Sequence, residues 1–337
     1  MHAQFNDANV GNGFLAYKVG DHCDDAQCTG TSPPSYSSGG MMHDERAGLG
    51  DNQKTLGGLH LAGVFNGLSN YTPSHRARLP SIHNVYVAAA APTRAEFVVQ
   101  QLHIHGGVWY NRTLVHAPSN CSAIVEQRMY CHRTRRNIMV LELQALPATE
   151  TTTDDPCTVS VVLQHREEVK ADGTVDVKFT QLAQGAAAVT TLTGVTRIPE
   201  LYGAAPTAVA MAYDTVPQAV ELTVGGGAHR FVAAAHSDLE GMSAAELAPA
   251  AAKSLAAAKA TGDGLLAEHL EGWGRIWRSG IEITGNITVA RAVNASLYYI
   301  HSALREDFAH GLSPGGLAID SYDGRSFWVR KWLTAYQ

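Results

Sequence analysis

The chain has 337 residues, 45% of them hydrophobic and 17% charged, with a formal net charge of −6. That length gives room for one large or two ordinary domains with a substantial core, so this is not a small stapled scaffold. The 25 Lys and Arg are scattered and no run reaches the roughly 18 apolar residues of a membrane-spanning helix, so neither nucleic acid nor a membrane is an expected partner.

The first residues, MHAQFNDANVGNG, have neither the basic nor the apolar region of a secretory signal. From about residue 10 to 237 the chain then reads as a succession of short strands. They begin with GFLAYKV, LHLAGVF, NVYVAAA and EFVVQQLHIH, and continue through VWYNRTLV, AIVEQRMYCH, NIMVLELQA and TVSVVLQH. The series closes with TVDVKFTQL, AVTTLTGVT, TAVAMAY, AVELTV and RFVAAAH. These runs are rich in β-branched residues and are parted by Gly, Pro, Asn or Asp, which predicts a large antiparallel sandwich over residues 1–240. Residues 21–55 are rich in Ser, Gly and Asp, lack periodicity, and read as a flexible insertion. The glycine run VGGGAHR (224–230) lies between two strands and reads as a hairpin turn, not a phosphate cradle.

At Ser243 the character changes, because SAAE is a capping box that opens an Ala-rich helix. A second helix starts near Asp263 and carries Leu266, Leu270, Trp273 and Trp277 as one apolar stripe ending at Gly280. The two tryptophans therefore read as core that packs this helix on the sandwich. A third helix, about 288–305, places Val289, Val293, Leu297, Ile300 and Leu304 on one face. The expected division is thus a sandwich, a helical linker over 241–285, and the start of a helical domain over 286–337.

Few residues suggest chemistry on their own. His103 and His105 share a strand face at i, i+2 and read as ordinary polar-face histidines. The stretch HCDDAQC (22–28) has no matching second half-site, so neither a metal nor any other cofactor is expected. Five Cys at irregular spacing neither define nor exclude a disulfide framework. Sequons begin at Asn70, Asn111, Asn120, Asn286 and Asn294, the last inside the third helix, so Asn70, Asn111, Asn120 and Asn286 are the candidate glycosylation sites. Their number leans toward a secretory, vacuolar, lysosomal or extracellular location, while a cytoplasmic one stays open.

Several stretches together resemble glycoside hydrolase family 65. They are VGNGFLAYKVG (10–20), LHLAGVFNG (59–67) with SHRARLPSIHNV (74–85), HLEGWGRIW (269–277), ASLYYIHSAL (295–304) and GLSPGGLAIDSYDGRSFW (311–328). They lie in the family's order over the whole length, and the resemblance is to the branch holding trehalose- and hydroxylysine-linked glucosidases. It implies a β-supersandwich, a helical linker and the first helix of an (α/α)6 barrel. It also implies inverting cleavage of an α-linked glucose, in which one carboxylic acid protonates the glycosidic oxygen while a carboxylate activates water. In the family's phosphorylases, phosphate attacks instead.

The loop over 311–328 is the one the resemblance places at the active site, which makes Tyr322, Gly324, Phe327 and Trp328 the candidate sugar-binding residues. After Trp328 the family pattern stops, since Arg325, Val329 and Lys331 stand where a His and two acidic residues are expected. No pair of carboxylates in the chain can be nominated as catalytic acid and base. The expectation is a catalytically silent chain whose last nine residues come from an unspliced intron or a truncated gene model, with sequencing of the transcript across Trp328 as the test. The implied partner is the carbohydrate substrate of the full-length enzyme, with a homodimer as a further expectation. The competing reading is a standalone carbohydrate-binding or interaction module.

Overall fold

The thirteen runs all become strands in the computed structural model. It describes residues 9–19, 59–67, 75–80, 82–89, 93–117, 121–148, 157–165, 174, 176–184, 189–200 and 203–310. In chain order the strands are β1 (Asn9–Gly11), β2 (Leu15–Lys18), β3 (Leu59–Leu61), β4 (Phe65–Asn66), β5 (His75–Arg76), β6 (Val85–Ala89), β7 (Arg94–His103) and β8 (Val108–His116). They continue with β9 (Ser122–Cys131), β10 (Ile138–Pro147), β11 (Thr158–His165), β12 (Val177–Gln184), β13 (Val189–Thr196), β14 (Ala208–Asp214), β15 (Ala219–Thr223) and β16 (His229–Ser237). LHLAGVF divides into two strands at Gly63, whose φ of 78° only glycine adopts readily.

An eight-stranded antiparallel sheet, in the order β12-β13-β14-β16-β10-β9-β8-β7, forms the backbone of the fold. Smaller sheets, β1-β2-β3 and β15-β11-β6, lie against one of its faces. Between them is a continuous apolar core that includes Phe14, Leu61, Val125, Leu141, Val161 and Leu222. The architecture is therefore the mainly antiparallel sandwich, followed by helices, that the strand pattern implies. A disulfide between Cys121 and Cys157 joins the entries to β9 and β11, one strand from each sheet.

The opposite face of the large sheet is also covered. Helix α1 (Ala244–Thr261) lays Ala251, Leu255 and Ala258 on Val140, Ala212, Val232 and Ala234. Burial on both faces explains why TAVAMAY and RFVAAAH do not alternate in polarity, since a strand covered twice has no solvent side. The alanines on both surfaces let helix and sheet approach closely. The capping box forms as expected, with Glu246 accepting from the Ser243 backbone N–H at 2.8 Å and from its hydroxyl at 2.7 Å.

Three expectations are corrected. VGGGAHR is not a hairpin turn, because β15 and β16 belong to different sheets and the glycines carry the chain from one to the other. In α2 (Gly264–Ile276) the buried residues are Leu265, His269, Gly272 and Trp273, whereas Leu270 is 37% exposed. A buried histidine with both ring nitrogens bonded turned the face away from the purely apolar stripe. In α3 (Ile287–Ala303) the docked residues are Tyr298, Ser302 and Ala303. Of the predicted stripe, Val289, Ile300 and Leu304 are 44%, 51% and 46% exposed, while Val293 and Leu297 are half-buried.

Candidate functional site

Four of the segments that carry the family resemblance meet at one place, the junction between sandwich and helices. Its centre is Asn12, which is fully buried. Asn12 Nδ2 donates to the His132 and Arg136 carbonyls at 2.8 and 2.9 Å, and Oδ1 accepts from the Phe14 and Leu15 amides at 2.9 and 2.7 Å. One side chain thus fixes the β1–β2 turn to the β9–β10 turn, with every hydrogen-bonding atom used.

The end of α3 rests on the two glycines that flank Asn12. The Gly13 amide donates to the Ser302 carbonyl at 2.8 Å, and a Cβ at Gly11 would stand 2.6 Å from that same oxygen. Gly13 has φ 86° and a Cβ there would meet the Leu304 backbone. The GNG triplet is thus dictated by close approach of a helix end, a constraint that no local periodicity reports.

Two arginines clamp the same point. Arg133 Nη1 donates to the Asn12 and His301 carbonyls at 3.0 and 2.6 Å, while Arg305 Nη1 donates to the Asn12 and Arg133 carbonyls at 3.1 and 2.8 Å. Burial, with the Arg305 charge beside it, lowers the Arg133 guanidinium to about 10. Arg133 also lies over the Trp273 ring, 5.2 Å from its centroid, and Trp273 in turn stacks on Tyr298 at 5.2 Å. Gly107, at φ 61°, lets that indole lie directly on the backbone, where a Cβ would collide with the ring. Trp273 is therefore core, as expected, and HGG (105–107) matters for its glycines. His103 ends β7, while His105 lies in the following turn against Trp277, with ring centroids 4.4 Å apart, so the two histidines do not share a strand face.

Two histidines weld α2 to this junction. His269 Nε2 donates to the Gly106 carbonyl at 2.7 Å and Nδ1 accepts from the Arg133 amide at 3.1 Å, which makes it a neutral imidazole. His132 does the same with the Leu265 carbonyl at 3.0 Å and the Arg135 amide at 3.1 Å. Burial above all pushes their pKa values down, to about 3 for His269 and about 4 for His132. From this junction the chain runs past Phe14, which meets Phe308 edge-on at 4.8 Å, to His310, packed against Gly63. The junction therefore anchors the point from which residues 311–328 depart.

Tyr322, Gly324, Phe327 and Trp328 lie outside the described residues, as do Asn70 and Asn120. Asn111 is 7% exposed within β8, its Nδ2 3.5 Å from Gln127 Oε1. Asn286 is exposed at the start of α3. Two further polar groupings escaped the sequence reading because they assemble across strands.

The first is a row on the outer face of the large sheet, where Arg230, Glu142, Arg128 and Tyr110 stand opposite one another on β16, β10, β9 and β8. Arg230, Glu142 and Arg128 of this row line a cleft of about 240 Å³ together with Gln144, Asp263 and Leu266. Glu142 Oε1 accepts from Arg230 at 2.6 Å and from the Tyr130 hydroxyl at 3.1 Å, so its carboxylate is held by a fixed frame. The second is the line Ser254 Oγ, His236, Glu240, with steps of 2.9 and 3.0 Å. Burial alone would raise the Glu240 carboxyl, but hydrogen bonds from His236, Asn137 and the Ser237 amide outweigh it and hold it below its usual range. Ser254 sits in the middle of α1, where backbone amides are spent within the helix and cannot form an oxyanion hole, so this line ties α1 to β16.

Comparison with known proteins sets the frame for this geometry. No family model matches the chain. A protein-glucosylgalactosylhydroxylysine glucosidase of Dictyostelium discoideum is 30% identical over 339 residues, 96% of this chain and 40% of the relative. Its namesake from Mus musculus is 30% identical over 80% of this chain and 38% of the relative. The chain belongs to glycoside hydrolase family 65. A kojibiose hydrolase of Mucilaginibacter mallensis is 38% identical over 66 residues, 20% of the chain. In fold the chain is similar to a putative kojibiose phosphorylase from the human microbiome, with TM-score 0.57 and 11% identity over 94% of this chain and 42% of that one. The family 65 chain thus spans about 40% of the length of the curated relatives it matches over most of its own length.

Proposed function

We propose that this chain is the sandwich-and-linker part of a family 65 glucosidase that removes an α-linked glucose by an inverting mechanism, and that these 337 residues alone are catalytically silent. Of the α-glucosides open to the family, glucosylgalactosyl-hydroxylysine is the favoured substrate and trehalose the next. The observation that carries the reading is the 30% identity to the Dictyostelium glucosidase over 96% of the chain. The junction supports it, because Asn12, Arg133, Arg305 and Trp273 hold the end of α3 against the sandwich. The exposed apolar residues of α3 support it too, since Val289 and Ile300 stand on one side of the helix as surface suited to further helices.

The test is glucose release from glucosylgalactosyl-hydroxylysine and from trehalose, with and without inorganic phosphate. The chain alone should release none. Fused to the part of the Dictyostelium relative that it does not match, it should release glucose whose first-formed anomer is β. Turnover by the chain alone would overturn the claim of silence, and a folded fusion that retained the α configuration would overturn the mechanism. The second reading, a sandwich that binds carbohydrate by itself, is favoured by the cleft around Arg128, Glu142 and Gln144, where donors and acceptors stand together as vicinal hydroxyls require. Saturable binding of glucose by the chain, lost in Arg128→Ala, is its signature.

A further inference from the structure

Among the described residues, three asparagines begin a sequon, and the fold sorts them. Asn111 is buried within β8, and Asn294 is half-buried in the middle of α3. Asn286 is exposed, follows Gly285 with its φ of 82°, and has exposed Ile287 and Thr288 beside it. Its Oδ1 caps α3 by accepting from the Thr288 and Val289 amides, both at 3.1 Å, so the carbonyl end of the side chain is engaged and the Nδ2 end is the one left to react. A glycan on Nδ2 keeps the oxygen, and with it the cap.

A second observation, independent of any sequon, points to the same compartment. The Cys121–Cys157 disulfide joins the two layers of the sandwich across 36 residues, and such bonds form and persist where the environment is oxidising, which is also where asparagine-linked glycans are added. We infer that Asn286 carries an N-linked oligosaccharide, attached at the cap of α3, and that Asn111 and Asn294 do not. The donor class is an oligosaccharide borne on a lipid diphosphate. Nδ2 attacks its C1, the N–C1 bond forms, the C1–O bond breaks with its electron pair leaving on the lipid diphosphate, and Nδ2 gives one proton to a base of the transferase.

The full chain, tagged and recovered from its own cells, is treated with peptide N-glycosidase in heavy-oxygen water and digested with trypsin. The peptide Ser279–Arg291 should then contain a heavy-oxygen aspartate at position 286, with no such label at 111 or 294. Asn286→Asp retains a capping oxygen and Thr288→Ala retains the cap itself, so both variants should fold and lose the glycopeptide. An unlabelled Asn286 in protein whose Cys121–Cys157 bond is intact overturns the inference. So does label at Asn111 or Asn294 in the folded chain, because the selection was made on burial.

Discussion

Replacing Asn12 by Ala removes four hydrogen bonds of 2.7–2.9 Å from a site with no solvent access. Two carbonyls of the β9–β10 turn and two amides of the β1–β2 turn are left without their partner. At about 1 kcal/mol net for each bond, and more where a group stays dry and unpaired, the variant should lose about 4 kcal/mol. That is a large share of the about 5–15 kcal/mol that ordinarily holds a folded protein together. Urea unfolding followed by tryptophan fluorescence reads it, since Trp273 lies stacked within the same junction. With a slope of about 2 kcal/mol per molar, the midpoint should fall by about 2 M at unchanged slope. Asn12→Asp, of the same size, should be no better, because a carboxylate oxygen would then face the His132 and Arg136 carbonyls. A loss below about 1 kcal/mol for the Ala variant, or wild-type stability for the Asp variant, would refute the role given to this side chain.

Acid should weaken the fold through His83, His132 and His269, which are buried neutral with pKa values lowered to about 4, about 4 and about 3. The unfolded chain takes up their protons near 6.5 and the folded chain cannot, so their contribution is complete above 6.5, shrinks as pH falls, and is exhausted near the folded values. By pH 5 the loss is on the order of 2 kcal/mol per histidine, to be read from melts between pH 8 and 5. Replacing Cys121 and Cys157 together by Ser opens a loop of 36 residues and should cost about 4 kcal/mol, with reductant reproducing the loss in the parent chain. Gly107→Ala forces a Cβ into the Trp273 ring at a φ of 61°, and should lower the urea midpoint by more than Gly225→Ala, where φ is also positive but nothing lies within 4 Å.

What the sequence makes legible follows from how local each cause is. Strands are specified by runs of β-branched residues between breakers, which is why all thirteen runs form, and Ser243 with Glu246 encodes a helix start within four residues. Pairing is less local. Nothing in AVELTV or RFVAAAH says that they enter different sheets, and a glycine run between two strands looks the same whether it turns a hairpin or changes layers. The buried face of α2 was hidden for another reason. His269 counts as polar in any periodicity, yet a carbonyl at Gly106 and an amide at Arg133 satisfy both of its nitrogens and make it core. Arg128, Glu142 and Arg230 come from three strands and become neighbours only once the register is set.

The same distinction separates two kinds of position in the fold. A strand in the sandwich needs only the right pattern, and many side chains satisfy it. The junction needs particular residues: glycine at 11, 13 and 107 because a helix end or an indole lies on the backbone, and asparagine at 12 because one side chain must give two hydrogen bonds and take two. Arginine stands at 133 and 305, where planar donors reach carbonyls from three segments. The segments 10–20, 59–67, 269–277 and 295–304 meet here, where chemistry and not pattern decides the residue. A change at the junction shifts the end of α3 and, through the Phe14–Phe308 contact, the stretch that leads to His310 against Gly63.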